Sequence, residues 1–340
     1  MTTFEDVLQR RFEQVSNATA QVGLRVDVSA LGISDRRGHL HLEPPTRISA
    51  NRACRMVRAA DGWIAINLAR QEDHDLVPAW LHGDVEADVW AQVERLVPGR
   101  GQSELVADGI LLGLPVAAVG EVRCKSPGAL QTIEGPRAGR PAGKPLKVVD
   151  LSAMWAGPMC GAIFAAMGAE VIRVESRARP DPTRTSTPEF FRRLNGAKTD
   201  ITIDLSKPDH AHWLREEVMA SDMVISGARP RGLRSLGLVP RDYLKQKAGG
   251  VWIAITGHGW HGPPGERVAF GDDASAAGGL LRRTKGGEPR FMGDALADPF
   301  TGLAAAVAGL QALVERGGRI VDASLARCAS GAAFEAGLWR

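Results

Sequence analysis

The sequence predicts an α/β fold: a doubly wound parallel sheet with a second, smaller α+β domain. Three observations carry that reading. From Leu146 onward, short apolar runs alternate with helical patterns: LKVVDL, EVIRVES, DITIDL, DMVIS, GVWIAIT and RIVDASL are separated by amphipathic or apolar stretches. Strands spaced by helices need crossover connections, and these build parallel sheets covered on both faces. Before that point, about residues 50–122 show a different rhythm, with two strands joined by a tight turn, then helices, then one more strand. Third, 340 residues at roughly 150 per domain suggest about two domains.

Composition narrows the function classes. Hydrophobic residues make up 44% and charged residues 24%, which is ordinary for a packed globular chain. Lys plus Arg is 42 and Asp plus Glu is 39, so the formal charge is 42 − 39 = +3. That balance argues against nucleic acid or a membrane surface as the main partner. A single Tyr, Tyr243, beside eight Trp argues against an aromatic platform for stacking bases. Cys54, Cys124, Cys160 and Cys328 are far apart, with no CxxC pair, so neither a zinc site nor a disulfide framework is expected. The N-terminal MTTFEDVLQRRFEQ lacks an apolar signal core, and no run of about 18 apolar residues is present. A cytoplasmic protein without a spanning helix is the resulting expectation.

The elements follow in order. Phe4, Val7, Leu8, Phe12 and Val15 recur at helical spacing, and residues 32–50 are turn-rich with Pro44-Pro45, so 1–49 reads as an N-terminal helix and connecting segment. CRMVRAADGWIAINL (54–68) reads as a hairpin in which Gly62 relieves a positive φ after Asp61. Helical patterns at about 74–82, 86–97 and Leu105–Leu112 precede a strand at Leu114–Val119, which completes a small α+β domain over 50–122. Residues 123–146 are rich in Pro and Gly and carry Arg137, Arg140 and Lys144. They read as a linker, with a phosphate-touching loop as the sharper alternative. Residues 147–340 form the larger domain, with helices at GPMCGAIFAAMGA, Asp209–Ala220 and about 300–315. Ligands in such sheets sit at the carboxyl ends of the strands.

Several clusters carry candidate chemistry. Gly257-His258-Gly259-Trp260-His261-Gly262 fits GxGxxG after a strand, but Pro263-Pro264 blocks the helix that a dinucleotide pyrophosphate needs. His258 and His261 lie three apart with no third ligand nearby, so a solvated or hydrogen-bonding loop role is expected and no metal site. Asp298-Pro299 opens an apolar helix. Asp298 reads either as an N-cap with Pro299 at the first helical position or as an ionised carboxylate able to attack an activated acyl carbon. Asp272-Asp273 reads as a turn or cap. Arg173, Arg177, Arg179, Arg184, Arg192, Arg193 and Lys198 form a basic stretch, either a solvated face or an anion site for a phosphorylated ligand.

Residues 147–325 resemble the family III CoA-transferases, the CaiB/BaiF family, which also includes α-methylacyl-CoA racemases. The matches occur in order: KVVDLSAMWAGPMCGAIFAAMGAEVIRVES, LNGAKTDITIDL, SDMVISGARPRGLRSLGL, GVWIAITGHGWHGPPG, ADPFTGLAAAVAGLQAL and GGRIVDASL. The resemblance implies a Rossmann-like CoA-binding catalytic domain over 147–340, with Asp298 as nucleophile. It implies CoA contacts at Trp155, Ala156, Gly157, Arg177, Asn195 and Lys198, which gives the basic stretch a purpose because CoA carries three phosphates. The substrates would be an acyl-CoA and a small carboxylic acid, with no prosthetic group, and the assembly a homodimer of interlocked rings. Alternatives within the resemblance are a racemase, which needs a second acid/base where Gly271-Asp272-Asp273 stands without a His, and a non-catalytic CoA-binding subunit. The order of parts departs from the family: ANRACRMVRAADGWIAINL and LLGLPVAAVGE resemble its small domain yet come first, so the chain reads as circularly permuted. Ser235 stands where the family often has an arginine, with Arg234 before it, and no Gly-rich lid run is visible.

Overall fold

A computed structural model describes residues 3–40, 42–126, 128–141 and 143–339. The chain begins with helix α1 (Phe4–Val22) and the short α2 (Val28–Leu31). Thr3 and Asp6 cap α1 reciprocally, each side chain accepting the other's backbone N–H. Its buried stripe, Val7, Val15 and Ala18, joins the main core.

The small module follows: β1 (Cys54–Arg58), β2 (Trp63–Asn67), α3 (Gln71–Leu81), α4 (Val89–Leu96), α5 (Gln102–Leu112) and β3 (Val116–Ala118). The three strands form one antiparallel sheet in sequence order. The hairpin is where it was expected, but the reason for Gly62 differs. Gly62 is not at positive φ. A Cβ there would stand 2.8 Å from the Gln102 amide, which itself donates to the Trp63 carbonyl. Trp80, Val77, Leu105 and Ile66 fill a separate core between this sheet and its helices.

The stretch expected to be a linker carries β4 (Ala129–Ile133). The larger unit then runs β5 (Lys147–Leu151), α6 (Ala156–Ala166), β6 (Glu170–Ser176), α7 (Thr183–Ser186), α8 (Pro188–Asn195), β7 (Thr199–Ile203), α9 (Pro208–Ala220), β8 (Met223–Ser226), α10 (Pro230–Ser235), α11 (Pro240–Gln246) and β9 (Val251–Thr256). It ends with α12 (Gly271–Ala277), the ribbon β10 (Leu281–Arg283) and β11 (Pro289–Phe291), α13 (Ala297–Val314), β12 (Arg319–Ser324) and α14 (Leu325–Glu335). The large sheet has the order β4-β12-β9-β8-β5-β6-β7. All neighbours are parallel except β4, which pairs antiparallel with β12 at the edge. From β5 the chain winds outward through β6 and β7, then returns to the other side of β5 as β8. The switch point therefore lies between β5 and β8, where an open α/β sheet leaves a crevice.

The central strands of the sheet are buried on both faces. Ile225, Ile253 and Val321 point toward α6, α13 and α1, while Val224, Trp252 and Ile320 face α9 and α11. Helix α13 is long and apolar enough to cross a membrane, although Asp298, Thr301 and Gln311 interrupt its apolar run. Most of it is buried inside the protein, as the core helix of the sheet. The small module docks on α12: Gly120 and Val122 N–H groups donate to the Ala276 and Ala277 carbonyls, and Cys54, Met56 and Ala65 pack on Ala276, Leu281 and Phe291.

Candidate active site

A cleft of about 680 Å³ opens at the carboxyl ends of β5, β8, β9 and β12, within the usual size of small-molecule sites. Its floor is backbone and small side chains: Ser152, Ala153, Ala156 and Gly157 after β5, Gly227 and Ala228 after β8, Thr256 and Gly257 at the end of β9. Close approach requires the glycine at 157, since a Cβ there would stand 2.2 Å from Ser152 Oγ. The charged lining is one-sided. Asp298 is its acid, and Arg70, Arg179, Arg229, Arg231 and Arg267 are its bases. Burial and then repulsion by Arg231 lower the pKa of Arg229 despite some relief from Glu266, with Arg70 and Arg179 adding to the repulsion. Arg70 pairs with Asp73 and Arg267 with Glu121, so the positive charge offered to a polyanion comes from Arg179, Arg229 and Arg231.

Asp298 is partly exposed into the cleft. It is not an N-cap. Helix α13 begins one residue earlier, at Ala297, with Leu296 in the cap position and no side-chain cap hydrogen bond. The carboxylate instead lies near the Ala156 backbone N–H at the start of α6, which favours its anion. It lies against Gly271, where a Cβ would be 2.0 Å from Asp298 Oδ2. Thr301 Oγ1 donates to the Ala297 carbonyl at 2.7 Å and stiffens the first turn. Burial is the main force on the ionisation of Asp298, with opposing help from Arg36 and further repulsion from Asp272, and the pKa is pushed up to about 7. The dipole argument made from sequence, which favoured a readily ionised carboxylate, is thus outweighed by desolvation.

Asp272 and Asp273 occupy the first turn of α12 and are buried. Asp273 Oδ1 accepts the Phe270 N–H at 2.9 Å and the Asn67 side-chain amide at 3.1 Å. Asp272 Oδ1 accepts the Ala295 N–H at 2.9 Å, and Oδ2 accepts from Asn51 at 3.0 Å. Burial, then Asp294, raise the Asp272 pKa to about 7.

The residues that the resemblance marks for CoA divide into two groups. Ala156 and Gly157 line the cleft. Trp155 is buried beside it: its Nε1 donates to the Ile33 carbonyl at 2.8 Å and its ring meets Phe190 edge-on at 5.2 Å. Arg177 is exposed and stands outside the cleft lining. Asn195 and Lys198 are buried beneath α6. Lys198 Nζ donates to Asp150 Oδ2 at 2.8 Å, the Pro158 carbonyl at 2.8 Å and Asn195 Oδ1 at 2.9 Å. All three protons of the ammonium are engaged there, and Asp150 in turn accepts the Ser152 N–H at 3.0 Å. Lys198 therefore braces the loop under the cleft and has no donor left for a phosphate.

The basic stretch behaves similarly. Arg173, 1% exposed, pairs with Glu175, Asp181 and Asp200 at 2.6–3.2 Å. Asp181 also accepts the Met154 N–H at 3.0 Å, holding Met154 at φ +70 on the cleft floor. Arg184 pairs with Glu175 and Asp200 and stacks on Phe191. Of that stretch, only Arg179 lines the cleft. The sequence reading missed Arg229 and Arg231, although they lie in the RPRG of the third matched motif, and Arg70 and Arg267 carry no sequence signal. His258 is buried rather than solvated, with neither ring nitrogen hydrogen-bonded, and burial followed by the charge of Arg267 lowers its pKa to about 3. Among the described residues no group of three or more His, Cys, Asp or Glu is arranged to hold a metal ion.

Comparison with known proteins agrees with this layout. The chain is 33% identical over 191 residues to the succinyl-CoA–D-citramalate CoA-transferase of Chloroflexus aurantiacus, covering 52% of this chain and 47% of that protein. It is 31% identical over 185 residues to the human succinyl-CoA:glutarate CoA-transferase, covering 51% and 42%. The chain thus spans less than half the length of these curated relatives. A crystal structure of a CaiB/BaiF family protein from Brucella suis superposes with a TM-score of 0.51 at 32% identity, covering 55% of this chain and 54% of that one. Residues 144–334, more than half of the chain and the whole of the cleft's parallel-strand floor, match CoA-transferase family III, and the chain belongs to that family.

Proposed function

We propose that the protein moves CoA from an acyl-CoA to a carboxylic acid, with Asp298 as nucleophile. The observation that carries this reading is the placement of a partly exposed, dipole-facing carboxylate in a cleft whose other charged lining groups are five arginines. A pantetheine thioester beside Asp298, with its phosphates among Arg229, Arg231 and Arg179, satisfies both ends of that asymmetry. The Asp298 oxygen attacks the acyl carbon, the C–S bond breaks, and the electron pair leaves as the CoA thiolate, giving a mixed anhydride. The thiolate then attacks the aspartyl carbonyl, expels the donor acid and forms an enzyme-linked CoA thioester. The acceptor carboxylate displaces the thiolate to form a second anhydride, and the thiolate attacks the new acyl carbon and frees Asp298. Splitting the transfer this way replaces one difficult displacement by covalent steps. In this reading the Ala156 N–H beside Asp298 stabilises oxyanion on the aspartyl carbonyl in the middle steps.

In this reading residues 50–122 are the family's small domain placed first in the chain, and two copies form the working dimer. A racemase needs a second acid/base facing the substrate. Asp272, the residue at that place, is outside the cleft lining with hydrogen bonds on both oxygens. The test is incubation with succinyl-CoA, a hydroxylamine quench and peptide mass spectrometry. A hydroxamate at Asp298 that is absent in Asp298→Ala supports the reading. Deuterium wash-in at the substrate α-carbon with no adduct would favour isomerisation, and CoA binding with neither result would leave a binding subunit.

A further inference from the structure

The N-terminal arm lies outside residues 144–334, yet it reaches the turn that leads into Asp298. Helix α1 lies along α13, with Phe4 edge-on to Phe300 at 5.5 Å, and Arg11 pairs with Glu335 of α14. After α2 the Ile33 carbonyl takes the Trp155 indole N–H, and three residues on the Arg36 guanidinium stands 5.0 Å over the same ring. Arg36 then grips Asp294 with two N–H groups: Nη2 donates to Oδ1 at 2.9 Å, and Nε donates to Oδ2. Asp294 is 3% exposed and begins the turn into α13. The next residue, Ala295, is held at φ +46, a region that side-chain-bearing residues seldom occupy, and its carbonyl accepts the Asp298 N–H at 2.9 Å. One flank of this turn is held by Asp272, through the Ala295 N–H, and the other by Arg36.

We propose that Arg36 is a positioning residue for Asp298: it clamps the strained turn that presents the nucleophile and brings it a counter-charge from the N-terminal arm. The proposal rests on the reading of Asp298 as nucleophile. The charged groups acting on Asp298 are Asp272 from α12, Asp294 from the turn and Arg36 from the arm, with the Ala156 N–H from α6. The two carboxylates oppose its ionisation. Arg36 favours it and acts more strongly than either.

The experiment is a 13C carboxyl NMR titration of the full chain with labelled aspartate, the Asp298 resonance being assigned by Asp298→Asn. Arg36→Met and the double variant Arg36→Met/Asp294→Asn are compared with the native protein. The double variant removes both charges of the pair and so avoids a stranded buried carboxylate. The expected result is a midpoint near 7 in the native chain and an upward move of about one pH unit on loss of the arginine, with Arg36→Lys in between. Formation of the Asp298 adduct from succinyl-CoA at pH 7 then slows about fivefold, following the lost anion. A folded Arg36→Met variant whose Asp298 midpoint stays in place overturns the proposal, as does a fall in melting temperature alone or a double variant whose midpoint falls; with the opposing Asp294 charge also gone, the double variant moves up by less than Arg36→Met. A midpoint that moves in a chain forming no adduct upholds the action of Arg36 on Asp298 and overturns the nucleophile reading.

Discussion

Gly271→Ala tests the geometry of the nucleophile with a single added methyl group. The Cβ of an alanine at 271 would fall 2.0 Å from Asp298 Oδ2 and 2.7 Å from both the Ala295 carbonyl oxygen and its Cβ, where real contacts stay beyond 3.0 Å. The Ala295 backbone is tied to Asp272 and Asp298, so it yields little, and the freer carboxylate must retreat by about 1 Å. A misplacement of about 1 Å at the reacting atoms lowers a rate by about 100-fold, equivalent to about 2.7 kcal/mol. Alanine is also the better helix former at the start of α12, which limits the loss of fold. The assay is single-turnover formation of the Asp298 adduct from succinyl-CoA, read beside a thermal melt. A folded Gly271→Ala protein that forms adduct within threefold of the native rate would refute the argument that the carboxylate must rest on a bare backbone.

The remaining predictions concern pH, the buried brace and the arginine rim. Burial and Asp272 hold the Asp298 pKa at about 7, above its unfolded value, so the anion is lost as pH falls through 7. Stopped-flow adduct formation should rise tenfold per pH unit well below 7 and level off above it, and a rate unchanged between pH 5 and 8 would contradict that assignment. Lys198→Met strands the buried Asp150 carboxylate and should lower stability by about 3–5 kcal/mol in urea titration. A variant of native stability with weakened CoA binding would return Lys198 to the ligand. Arg229→Gln should weaken free CoA by about 10- to 100-fold in calorimetric titration, and undiminished affinity would place the phosphates elsewhere.

The parallel strands were legible because the central ones, such as VWIAIT and MVIS, are short apolar runs rich in Val and Ile, as a sheet buried on both faces favours, and because helical patterns separate them all. That pattern put a ligand site at the carboxyl ends of the strands, while Ala156 and Gly157 came only from the family resemblance; the strand order and its switch point came from the structure. Asp298 was legible as a carboxylate opening an apolar helix, though the cap reading failed because the helix starts one residue earlier and the side chain turns to α6. What sequence could not show is which charges pair. Lys198 meets Asp150 from 48 residues away, Arg173 gathers three acids from three segments, and Arg36 reaches Asp294 across 258 residues. A count of arginines in one stretch therefore did not show which of them line the cleft, where Arg179 alone of that stretch stands. The lining cations come mostly from Arg229, Arg231, Arg70 and Arg267, brought together only by the fold. The edge strand β4 was hidden for a related reason. Five residues between Pro and Gly clusters carry little periodicity, and the pairing with β12 decides their conformation.

The central claim is that CoA transfer passes through the carboxylate of Asp298, and oxygen tracing tests it most directly. With succinyl-CoA and succinate labelled with 18O in its carboxylates, each turnover through two anhydrides leaves one acceptor oxygen on the aspartate. Repeated turnover should carry the Asp298 peptide to a mass increase of about 4 Da, as both oxygens exchange. Exchange of succinate into succinyl-CoA with an unlabelled Asp298 peptide would contradict the account.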